Sequence, residues 1–179
     1  AGNAIAADMI SQLLDRAWSK PVVPKAAPHA LPWKPVDAGC YQRGHFLLPA
    51  ASANEAWTWH EPDWKQIPGG FRSDPFAGKK LLTATQDAQE ATVHFKGRAL
   101  GAYVLAGPDA GVLEVSIDGG KWQRVDLYHR HSRGLHYPRT VMFAADLKAG
   151  AHTAKIRLSN KSNPLSKGTA ARVLQFVVN

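Results

Sequence analysis

Residues 100–128 read LGAYVLAGPDAGVLEVSIDGGKWQRVDLY, and three runs within them, LGAYVLAG, VLEVSID and WQRVDLY, alternate apolar and polar side chains at period two. Alternation of this kind puts one side of an extended chain in a core and leaves the other facing outward, so each run predicts a strand. The links are short turn formers. GPDAG separates the first two runs, and Asp118-Gly119 between the second and third suits the positive φ angles of a tight hairpin. Moving outward, ATVHFKG (91–97), RTVMFAADL (139–147), HTAKIRLS (152–159) and RVLQFVVN (172–179) repeat the pattern, with a turn at LKAGAH (147–152). Strands joined by tight turns, with no helical period between them, predict a mainly β fold, an antiparallel jelly-roll-like β-sandwich.

Toward the N-terminus the signal changes. YQRGHFLLPA (41–50) reads as a first strand, and 56–80, AWTWHEPDWKQIPGGFRSDPFAGKK, as an aromatic-rich irregular stretch with turns at Pro68-Gly69-Gly70 and Asp74-Pro75. Pro21, Pro24, Pro28, Pro32 and Pro35 forbid helix and predict an extended linker. Before it, Ile5, Met9, Ile10, Leu13, Leu14, Ala17 and Trp18 recur at steps of three and four, predicting one amphipathic helix over 4–18 with Asn3 as its cap. A lone helix cannot hide its own apolar stripe. The division expected is therefore 1–19 as a helix of another domain, 20–38 as linker and 39–179 as the sandwich.

Composition narrows the function. The chain has 179 residues, is 45% hydrophobic and carries 15 Gly, 12 Pro and 6 Trp, as a folded domain does. Its single cysteine, Cys40, can form no internal disulfide. The net charge of +8 invites a nucleic-acid reading, but Lys79-Lys80 is the only pair of adjacent cations and no base-reading module is present, so no nucleic-acid partner is expected. No run approaches the ~18 apolar residues of a membrane span, and no membrane partner is expected either.

Three constellations bear on chemistry. His129, His131 and His136 in DLYHRHSRGLHYPR (126–139) have spacings that suit a metal, with His129 and His131 on one strand face; no Asp or Glu stands at the spacing of a cupin-like ligand set, and neither metal nor cofactor is expected. Trp57, Trp59 and Trp64, followed by Phe71 and Phe76, suit core packing or sugar stacking. An activated nucleophile is missing: no GxSxG or GDS block occurs, and Ser132 and Ser166 read as loop serines. The candidate binding surface is the loop HSRGLHYPR (131–139), with Arg133, His136, Tyr137 and Arg139 supplying donors and a stacking face, helped by Trp59 and Trp64.

AGNAIAADMISQLL (1–14) resembles the segment after the Asp-x-x-His-Pro block of SGNH/GDSL hydrolases, with Gly2 at the family's glycine. The remainder, above all AGPDAG (106–111), SIDGG (116–120), GLHYPR (134–139), GAH (150–152) and SKGTAARVLQFVVN (166–179), resembles the accessory β-sandwich behind a subset of bacterial SGNH hydrolases. The resemblance implies that the helix closes an α/β hydrolase domain lying before Ala1. That domain would hold the Ser, His and Asp and the oxyanion donors, with no catalytic residue in the present chain. It implies a carbohydrate O-acyl esterase as the parent, periplasmic or secreted, with the missing hydrolase domain as partner and a polysaccharide as ligand. The alternative is a stand-alone carbohydrate-binding module.

Overall fold

The computed structural model of the chain describes residues 2–21, 30, 33–34, 37, 39–69, 76–85 and 90–179. Most of the expected linker, with Phe71 and the turns expected at Gly70 and Asp74-Pro75, falls outside the described residues. The chain divides into two compact units, 1–38 and 39–179. The first contains α1 (Gly2–Trp18), which has no buried residue. Its stripe is exposed, with Met9 and Leu13 each at 67% and Trp18 at 73%. No described helix is long and apolar enough to cross a membrane.

The second unit is the β-sandwich. One sheet runs β2 (Thr58–His60), β3 (Leu81–Ala84), β10 (Ala171–Val178), β5 (Leu100–Ala106), β8 (Tyr137–Ala144), with β1 (His45–Leu47) also on β10. The other runs β4 (Ala91–Gly97), β9 (Gly150–Ser162), β6 (Gly111–Ile117), β7 (Gln123–Asp126). All pairings between these strands are antiparallel. One flank of β10 is shared: β3 pairs with Ala171–Val173 and β1 with Phe176–Val178, while β5 takes the opposite flank. The predicted hairpin forms at Asp118 (φ 51°) and Gly119 (φ 74°), and the Gly120 N–H donates to the Ile117 carbonyl at 2.8 Å.

The core lies between the sheets. Val93, Phe95, Leu113, Val115, Ile156 and Leu158 from the smaller sheet meet Ala102, Val104, Val141, Phe143, Val173 and Phe176 from the larger. These are the apolar members of the alternating runs. Trp57, fully buried, joins the same core, and Trp59 packs half-buried against it.

Two features depart from the expectation. The stretch 56–80 is not wholly irregular, because Thr58–His60 forms β2 and β3 follows at Leu81–Ala84. All four residues of β3 are buried, so it carries no alternation to read. His129 and His131 stand in a loop rather than on a strand face. The strand expected at 122–128 ends at Asp126, where the Asp126 carboxylate accepts the Tyr128 N–H at 2.9 Å and turns the chain away.

The larger sheet is covered on its second face as well. Phe76 tilts against Tyr103, with centroids 6.4 Å apart, and Pro68 approaches His136. Leu81 and Leu105 are buried there, at 0% and 3% exposure. The aromatic stretch thus lays part of itself over this sheet, and each aliphatic side chain so buried contributes about 1.5–3 kcal/mol.

Candidate functional site

Three of the segments that carry the family resemblance converge. The β5–β6 turn, GPDAG, closes with the Ala110 N–H on the Gly107 carbonyl at 3.0 Å. Ser166, in the β9–β10 loop, bonds the Ala110 and Pro108 carbonyls at 2.8 and 3.3 Å. Asp109 of the same turn takes a two-pronged pair from Arg172 of β10, with Nη1 and Nη2 at 2.8 and 2.7 Å. Burial pushes the Asp109 carboxyl up, but the hydrogen bonds and charge of Arg172 outweigh it and hold the group below the usual carboxylate range.

His136 sits inside this assembly, 2% exposed. Its Nε2 lies 3.2 Å from the Pro68 carbonyl, which assigns the proton to Nε2, and Trp64 meets the ring edge-on at 5.1 Å. Desolvation, followed by the Arg172 charge, drives its pKa down, so the ring is held neutral. Gly107 is obligatory here, since a Cβ on it would overlap the imidazole. His136 and Trp64 therefore form a latch that ties residues 61–69 to the β7–β8 loop.

The remaining candidates are placed differently. Tyr137 stacks on His129 with centroids 4.7 Å apart and planes 11° from parallel, and His131 tilts against both rings. Desolvation, then the Arg139 charge, lowers the His129 pKa. Arg139 points its Nη1 at the Leu127 and Tyr128 carbonyls, at 3.4 and 3.2 Å, and so braces the loop from within. Buried Ser132 closes the turn by accepting the His129 N–H at 3.1 Å. Arg133 is exposed beside this cluster in sequence. Among the described residues no group of three metal-type ligands comes together.

The structure thus joins His136 to Trp64, and Tyr137 to His129 and His131, while Trp59 stays with the core. Neither Asp109 nor Arg172 stands out in the sequence as a candidate residue. An arginine inside the apolar run AARVLQFVV was the available signal, since a charge in a buried strand requires a partner.

No protein-family model matches the chain, and no curated protein sequence matches it. Solved structures do. A two-domain esterase (CEX) active on acetylated mannans, crystallised with mannopentaose, aligns over 99% of this chain and 46% of its own, with a TM-score of 0.58 and 15% identity. A second structure of that esterase gives 0.55 over the same shares. A family two carbohydrate esterase from Cellvibrio japonicus aligns over 75% of the chain and 33% of its own, at 16% identity and a TM-score of 0.49. The chain is thus similar in fold to part of a two-domain carbohydrate esterase, and spans less than half the length of that protein.

Proposed function

We propose that this chain is the C-terminal part of an SGNH-type carbohydrate O-acyl esterase, with α1 closing the hydrolase domain, residues 20–38 linking, and the sandwich of 39–179 serving as accessory domain. The observation that carries the reading is the alignment over 99% of the chain, α1 included, to 46% of an esterase active on acetylated mannans. The exposed apolar stripe of α1 is what a helix separated from its own domain would present. In the parent, a Ser nucleophile with a His base oriented by Asp would act on the acyl carbonyl. The accessory role falls to the loop surface of Tyr137, His129 and Arg133, where a stacked aromatic pair offers a face to a sugar ring and the guanidinium donates to hydroxyls. His136, Trp64 and Arg139 brace that loop through their contacts with one another's segments and with the Tyr128 carbonyl, whereas Trp59, on β2 at the opposite edge of the sheet from β8, lies apart from it.

The test compares the full-length parent with the present chain on an aryl acetate and on an acetylated mannan. The parent is expected to turn over both, and the chain of 179 residues neither. In the parent, Tyr137→Ala is expected to raise KM for the polysaccharide at unchanged melting temperature, leaving the aryl acetate unaffected. Turnover by the isolated chain, abolished by replacing Ser132 or Ser166 alone, overturns the reading.

A further inference from the structure

A cleft of about 400 Å³ opens beside the larger sheet, bounded by Glu55, Thr58, Asp63 and Gln66, with Thr83 and Arg172 among its lining. Thr83 and Arg172 are register partners across β3 and β10. They are 7% and 3% exposed, yet among the described residues Thr83 Oγ1 and Arg172 Nε have no hydrogen-bond partner. A buried polar atom left unpaired costs about 1–3 kcal/mol, and folded proteins hold few. Two side by side under one cleft mark a place where a bound molecule completes the pairing.

The charges select the ligand. Asp109 neutralises the Arg172 guanidinium, so the cleft floor offers N–H and O–H donors without net positive charge. Glu55 and Asp63 line the same cleft with carboxylates, which repel anions and accept hydrogen bonds from hydroxyls. The Gln66 amide both donates and accepts. The volume falls in the range of small-molecule sites, about 300–1,000 Å³. We propose that this cleft binds one residue of an uncharged sugar, which displaces the side chains over the cleft floor so that a ring oxygen or hydroxyl accepts from Arg172 Nε and a second hydroxyl pairs with Thr83. The site is distinct from the Tyr137 loop surface and does not depend on the chain's being part of an esterase.

The experiment titrates the 179-residue chain with mannopentaose, an uncharged hexose oligomer, and follows backbone amide shifts by NMR. Saturable shifts are expected at Asp63, Gln66, Thr83 and Arg172, and an oligogalacturonate of equal length should leave them unmoved. Thr83→Val keeps the side-chain shape and removes the hydroxyl; it should weaken binding about tenfold without lowering the melting temperature. Gln66→Ala, at an exposed position, should weaken binding in the same direction with the fold intact. The proposal is overturned by the absence of shifts at millimolar mannopentaose, by shifts confined to 129–139, by equal binding of the oligogalacturonate, or by unchanged affinity in both variants.

Discussion

Asp109 and Arg172 are 63 residues apart in sequence, and their pairing shows how much one buried charge demands. Removing one partner leaves the other ionised and dry, a loss of about 3–5 kcal/mol in buried pairs. Asp109→Ala is therefore expected to lower stability by about that amount, read from urea unfolding; a loss under 1 kcal/mol would mean that water reaches the guanidinium. Two histidines give the sandwich opposite pH responses. His152 stacks on Phe95 and has Nδ1 2.6 Å from Asp118 and Nε2 2.7 Å from the Lys148 carbonyl, so both nitrogens donate and the cation is favoured. The hydrogen bond to Asp118, then that to Lys148, raises its pKa. Its contribution is complete below the ordinary imidazole value of about 6.5 and is lost as pH rises through the higher folded value. His136 is the reverse case. Its folded pKa is depressed, so the unfolded chain takes up a proton first, and stability falls as pH drops below about 6.5 toward the folded value. Melting temperatures across this range should show His152→Gln losing stability relative to wild type mainly at acid pH. His136→Gln should remove part of wild type's acid-side decline, and parallel pH curves for both variants would contradict these assignments.

At the scale of elements, the β6–β7 hairpin and the latch over the larger sheet are built in different ways. Gly119 has φ 74° and open space around its Cβ position, so a side chain there meets a backbone penalty alone. Gly119→Ala should cost about 1–2 kcal/mol; a neutral result in thermal unfolding would show that the turn relaxes. Gly107→Ala differs because the obstacle is the buried ring of His136, and the cost comes from displacing the latch. The hairpin was legible from two adjacent residues, because turn chemistry is local. The latch was not, because Trp64, Pro68, Gly107 and His136 meet only after the sheets have formed. His136 reads as a polar loop residue by its neighbours in sequence, yet it is packed from two other segments, 61–69 and the β5–β6 turn.

For the whole molecule, every residue of the sandwich core lies between Leu47 and Val178, within the second compact unit. A chain of residues 39–179 is therefore expected to fold by itself and unfold in one cooperative transition, followed by circular dichroism and tryptophan fluorescence together; transitions that fail to coincide would refute this. The order of residues alone was enough for the strands from 91 onward, the Asp118-Gly119 turn and the helix at the start. Each of these rests on one-sided burial or local backbone preference, and both leave a period or a dipeptide in the sequence. Tertiary structure alone decided the rest. β3 is buried on both faces and so has no period to show, Trp57 goes to the core while Trp64 goes to the latch, and Asp109 finds Arg172 across the fold. The physical reason is common to all three: two-sided burial and charge pairing depend on what lies across the fold, and a linear pattern records only which side of its own strand or helix a residue occupies.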